Sequence, residues 1–191
     1  MPDWAKWLIG GLVIAGLAIA TIATGGAAGG VAGFILAGAL KGAVIGAVSG
    51  ALVLGVISGI PEAMAGDGFW DGFTTGAASG FMSGAIIGGI TGAISSGVQV
   101  YNASKLWANT GNKTGYKQMV DHYKTHVINE GQKAVAKNIV KYSKDAYQFF
   151  QNNSMNAQII NAQLGVVKIA GAPGGIYNIN GLIRSFWYIL K

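Results

Sequence analysis

The chain has 191 residues, 51% of them hydrophobic, with a net charge of +6, two histidines and no cysteine. That length holds one ordinary domain, or one small domain plus an appendage. The absence of cysteine excludes disulfides and thiolate metal sites, and three prolines leave long helices permitted. Glycine and charge are both uneven. Residues 1–100 hold 24 of the 32 glycines and two lysines against four acids, whereas residues 101–191 hold eleven basic residues against three acids. Two compositions predict two modules joined near Gly97–Tyr101, the second basic enough to attract polyanions.

In chain order, "WLIGGLVIAGLAIATIAT" (7–24) is apolar over about the length of a membrane span. Asp3 offsets Lys6 and no small-x-small site precedes a change of composition, so the stretch reads as a retained helix rather than a cleaved signal. Next come "GALKGAVIGAVSGALVLGVISG" (38–59) and "GAASGFMSGAIIGGITGAISSG" (76–97), which align without gaps. Gly38, Gly42, Gly46 and Gly50 match Gly76, Gly80, Gly84 and Gly88. A glycine every fourth residue leaves a smooth strip on one helix face, where a second helix can approach closely. Pro61 and Gly66-Asp67-Gly68 are expected to break the helix between the two copies. Residues 1–97 therefore read as an all-α region, two or three glycine-zipper helices packed as antiparallel hairpins. They are suited either to a membrane or to burial as a dry spacer in a larger assembly. Lys41, within one apolar run, disfavours a simple span.

The segments "PDWAKWLIGGLVIAGLAIATIATGGAAGG", "GAVIGAVSGA" and "GDGFWDGFTTGAASGFMSGAI" resemble the region between an RHS-repeat shell and the C-terminal toxin of bacterial polymorphic toxins. The resemblance covers most of residues 2–97. It implies that the chain is the toxin end of such a system, with the RHS shell or a membrane as partner of residues 1–97.

Residues 98–115 read as a linker with a short helix, from the Asn, Ser, Thr and Gly of "YNASKLWANTGNKTG". "YKQMVDHYKTHVINEG" (116–131) predicts a helix closed by Gly131, with Met119, Val120, Tyr123 and Val127 on its apolar face. "QKAVAKNIVKYSKDAYQFFQNN" (132–153) predicts a second helix, whose apolar stripe is Val135, Ile139, Tyr142, Ala146 and Phe149/Phe150. On such a helix Lys133, Lys137 and Lys141 would form one line, with Lys144 beside it, either a solvated face or a polyanion contact. After "NNSMN", short β-branched and aromatic runs alternate with the turn signals "AGAPGG" (170–175) and "NING" (178–181). Residues 116–191 thus predict an α+β domain, two helices packed on a small antiparallel sheet of three to four strands. The last strand alternates, with Leu182, Arg184, Phe186 and Tyr188 on one side and Ile183, Ser185, Trp187 and Ile189 on the other.

His122 and His126, four residues apart, can share a helix face. The zinc-protease pattern is not met, because Tyr123 follows the first histidine and no third histidine exists. Carboxylate-cluster nuclease chemistry finds only Asp121, Glu130 and Asp145 in this half. Metal-free RNA cleavage fits better. It needs a base for the ribose 2′-OH, an acid for the leaving 5′-oxygen and cations for the phosphorane. His122, His126, Lys168, Arg184 and Ser185 are the candidate catalytic residues. Lys124, Lys133, Lys137, Lys141, Tyr177 and Tyr188 are the candidate RNA contacts, and no metal or other cofactor is expected. Structural roles compete with these: either histidine can sit in a core or a cap, Arg184 can flank the sheet, and Tyr188 can pack.

"HYKTHV" on a helix, a second helix ending "AYQFF", and "VVKIAGAPGGIYNINGLIRSFWYI" resemble the toxin domains of the barnase–EndoU–colicin–RelE group. The recurring ending is matched by Lys168, Gly175-Ile176-Tyr177-Asn178, Asn180-Gly181 and Ile183-Arg184-Ser185-Phe186-Trp187, over about residues 116–190. Ser185 stands where threonine is common, and "WYILK" replaces a shorter tail. The resemblance implies a ribonuclease, often directed at tRNA, delivered into a target cell's cytoplasm and neutralised by a cognate immunity protein. Two other readings stand beside it: a membrane-permeabilising toxin acting through residues 1–97, and a non-catalytic nucleic-acid-binding module.

Overall fold

The structure is a computed structural model that describes residues 1–23, 30–168 and 173–189. The chain divides into two compact units, Met1–Gly26 with Ile35–Ser96, and Ala27–Phe34 with Gly97–Lys191. Its helices are α1 (Asp3–Ala23), α2 (Val31–Ala65), α3 (Phe69–Ser104), α4 (Gly115–Tyr123) and α5 (Ile139–Asn153). Four strands follow, β1 (Gln158–Asn161), β2 (Leu164–Lys168), β3 (Gly174–Asn178) and β4 (Ile183–Trp187). The architecture is an all-α N-terminal part followed by a small antiparallel α+β part, as the sequence predicts.

In the helical unit α2 and α3 form an antiparallel hairpin whose contact line is glycine against glycine. A Cβ placed on Gly42, Gly46 or Gly50 would run into the carbonyl oxygen of Gly88, Gly84 or Gly80. The partners are therefore not the residues that align between the two copies. Each pair is equidistant in sequence from Ala65, because the chain reverses there and the second copy runs backwards along the first. The break comes later than expected: α2 passes through Pro61, near its C-terminal end, and Gly66 and Gly68 make the turn with φ of 88° and 95°. α1 lies against α3, with Phe81 over Gly10 and its ring 4.7 Å from that of Trp7. Lys6 bridges Asp3 and Ser79, and Thr75 donates to Asp3, which pins the start of α1 to α3. The hydrophobic side chains that this unit buries are small, namely Ala39, Ala43, Ala47, Ala77, Ala78 and Ala85. Leu52, Ile57, Ile87, Ile90 and Ile94 face outward.

The second unit packs around Trp107, Met119, Tyr123, Val127, Ile139, Tyr142, Phe150, Ile183 and Phe186. Its sheet is a meander in the order β1-β2-β3-β4, all pairs antiparallel. Of the turn expected at 170–175, residues 170–172 lie outside the described residues. The β3–β4 turn is built by Asn178, whose backbone C=O accepts from Gly181 and whose side-chain oxygen accepts from Leu182 N–H, with Gly181 at φ 79°.

Three expectations are corrected. First, α3 runs on to Ser104, and residues 106–108 are no linker. Ile183 N–H donates to Leu106 and Ala108 N–H to Ile183, so this segment adds itself to the edge of β4. Second, the helix expected over 132–153 begins at Ile139. Gly131 takes a φ of 73°, Gln132–Ala134 make one 3₁₀ turn, and Asn138 in extended conformation caps α5 by accepting from Lys141 N–H at 2.9 Å. Lys133 and Lys137 thus lie outside the helix and the lysine line does not exist. Third, β4 does not alternate cleanly. Ile176 faces Ser185 while Tyr177 faces Ile183, which leaves Arg184 as the extra residue of a β-bulge. The bulge turns Ile183 into the core together with Phe186 and Tyr188.

Candidate active site

Gln118 on α4 donates to the Arg184 carbonyl at 3.2 Å, satisfying a group that the bulge takes out of the ladder. This bond ties α4 to the bulged stretch of β4. One turn further on, His122 sits in the last turn of α4, and its Nδ1 is 3.4 Å from Ser185 Oγ. The chain then continues as a π-helix, Lys124–Asn129, which carries His126. Such wide turns occur often at functional sites. The two imidazoles are stacked, 5.5 Å apart and 12° from parallel. His122 stacks in turn on Trp107 at 5.6 Å, and Trp107 on Tyr142 at 5.7 Å. Trp107 is buried and donates its indole N–H to Ser143 at 3.1 Å. His126 Nδ1 meets Glu130 Oε1 at 3.0 Å, which turns Nε2 away from that carboxylate, and its ring lies 6.5 Å from Trp187.

Burial lowers the His122 pKa to about 4, reinforced by the positive charges of His126 and Lys113. Its imidazole is neutral at neutral pH and can accept a proton. The site thus joins a neutral imidazole, a hydroxyl, and a second imidazole held by a carboxylate. Arg184 sits half-exposed beside Ser185. Such a set can take up and deliver protons. Among the described residues no three His, Asp or Glu side chains converge as a metal-ligand set.

His122, His126, Ser185 and Arg184 are therefore placed on adjoining segments. Lys168 ends β2 opposite Gly174, and its side chain lies outside the described residues. The RNA-contact set fares differently. Lys124, Lys133 and Lys137 are exposed on three separate segments. Lys141 is ion-paired to Asp145 at 2.7 Å. Tyr188 is corrected to a core role, since it is buried and its hydroxyl donates to Asp145 at 2.7 Å. Burial, and then the bond to Asp145, raise its pKa far above the usual phenol range. Tyr177 packs on Phe150 at 5.0 Å and covers Gly165. Sequence reading missed Trp107, Gln118 and Glu130. The one signal for the first was an apolar Leu106-Trp107 pair amid turn residues. No protein-family model, curated protein or solved structure matches the chain.

Proposed function

We propose that the C-terminal unit is a ribonuclease that cleaves RNA by metal-independent acid–base transesterification, and that the chain is the toxin end of an RHS-type polymorphic toxin. The observation that carries the reading is the neutral His122 bonded to Ser185 and stacked on His126, in a half of the chain with eleven basic and three acidic residues. His122 takes the 2′-OH proton as the 2′-oxygen attacks phosphorus. A phosphate beside the ring favours its charged form and so strengthens it as a base. His126 gives a proton to the departing 5′-oxygen. Arg184 and Ser185 hold the phosphorane oxygens. The products are a 2′,3′-cyclic phosphate and a 5′-hydroxyl. On this reading the toxin acts in a target cell's cytoplasm, on RNA such as tRNA, and a cognate immunity protein restrains it in the producing cell.

The test uses the full chain in detergent, because a fragment beginning at Tyr101 would cut α3 and lose Val31 and Phe34, which pack on the core. Total bacterial RNA is incubated in EDTA with the parent and with His122→Ala. Discrete cleavage by the parent, slowed about a hundredfold or more in the variant, is expected. Intact RNA with a parent shown by circular dichroism to be folded would sink the reading.

A second reading concerns the helical unit. Asp3–Ala23, Val31–Ala65 and Phe69–Ser104 are each long and apolar enough to cross a membrane, and the large side chains of α2 and α3 face outward. We propose that these helices meet lipid. Dye release from liposomes by the full chain, with RNA left intact, would put the toxic activity in the helices.

A further inference from the structure

Between the C-terminal half of α5 and the β3–β4 turn lies a cleft of about 330 Å³, near the lower size limit of small-molecule sites. Tyr147, Phe150 and Tyr177 supply aromatic walls, and Gln151 and Asn180 supply amides. None of its lining residues is charged. Asn180 belongs to the turn that Asn178 and Gly181 hold in place, so its position is set by backbone hydrogen bonds rather than by a flexible loop. Asn178, two residues earlier, spends its side-chain oxygen on that turn. The Asn180 and Gln151 amides and the Tyr147 hydroxyl have no hydrogen-bond partner among the described residues.

An uncharged cleft in so basic a unit does not suit phosphate, which seeks cations. A purely apolar occupant would strip water from two amides and leave them unpaired. A flat, uncharged group with donors and acceptors on its edge satisfies both the rings and the amides, and a nucleobase is that group. The cleft and the histidine site also share two stretches of chain. Leu106 lines the cleft while Trp107 stacks on His122, and Leu182 lines the cleft three residues before Ser185, which meets His122.

We infer that this cleft is a nucleobase subsite, in which Asn180 and Gln151 read the edge of a base of the bound RNA. The inference rests on the ribonuclease reading, and two measurements separate their fates. In the first, cleavage rates of the full chain and of Asn180→Ala/Gln151→Ala are compared on four short RNAs that differ in one flanking base. The parent is expected to favour one base about tenfold or more. The double variant is expected to lose that preference through a higher KM, with kcat kept. An unchanged preference in the variant would overturn the subsite. In the second, the four uncharged nucleosides are titrated against both proteins, with binding read by saturation-transfer NMR. One nucleoside should bind the parent and bind the variant about tenfold or more weakly. If none binds the parent at millimolar concentration, the subsite is wrong whether or not RNA is cut. If a nucleoside binds but RNA stays intact, base binding by the cleft stands and the ribonuclease reading falls.

Discussion

In the α2–α3 hairpin the atoms that touch across the contact are those of glycines and alanines, while leucines and isoleucines point outward. In the C-terminal unit the contacts are made by Trp107, Tyr142, Phe150 and Phe186, ring against ring. The first arrangement gains backbone-to-backbone proximity and leaves its apolar surface to the surroundings. The second removes large side chains from water, which drives folding in solution at roughly 25 cal/mol per Å² of apolar area. The two kinds of packing depend on different things, and the two halves should fail in opposite ways.

The largest effect should come from taking bulk out of the aromatic core. Trp107→Ala removes a buried ring that stacks on His122 and Tyr142 and bonds Ser143, and should cost about 3–5 kcal/mol. Chemical denaturation followed by near-ultraviolet circular dichroism reads this loss. A cost below 1 kcal/mol would contradict the packing described here. Next comes adding bulk to the hairpin. Gly84→Ala gains about 1 kcal/mol of helix propensity, but its Cβ would strike the Gly46 backbone, which cannot yield without parting the helices. The clash should win, for a net loss of about 1–3 kcal/mol in detergent. Gly97→Ala is the control, because nothing stands within 4 Å of its Cβ, and it should stabilise by up to about 1 kcal/mol. Equal effects at the two glycines would refute the zipper. The smallest effect is a slope, since His122 is only partly buried and solvent screens it. Its folded pKa lies near 4, below the unfolded value near 6.5. The unfolded chain therefore binds the extra proton across that window, and stability should fall as pH drops from about 6.5 to about 4. Melting temperature against pH should flatten in His122→Gln. An identical slope in both proteins would show that the ring is not desolvated.

The glycine spacing alone was enough to read the helices and their contact strips. It did not reveal which glycines meet, because even spacing gives an antiparallel pair no preferred register, and the turn that sets one comes after Pro61 rather than at it. The start of α5 was misplaced because Val135 is in phase with Ile139 and Tyr142, and so prolongs the apolar pattern. Val135 is in fact exposed, and Asn138 sets the boundary through a cap that periodicity does not register. Within the site, His122, His126 and Ser185 were legible as residue types suited to one chemistry. Their support was not. Trp107 lay among turn residues, and the Arg184 bulge was hidden because residues 182–189 are apolar on both faces. Whether a strand slips by one residue depends on its neighbours rather than on its own sequence.

The equal spacing of the hairpin's glycines has a consequence for its alignment. Identical teeth mesh equally well after a slide of one tooth, four residues or about 6 Å along the axis. What tells the registers apart sits at the ends: Ser96 against Gly38 at one end, and Phe73 against Gly55 with Phe69 against Gly59 at the other. These side chains act as stops on a rail. A chain that lost them would keep its hairpin, with only the short turn at Gly66 and Gly68 left to hold its two arms in one alignment.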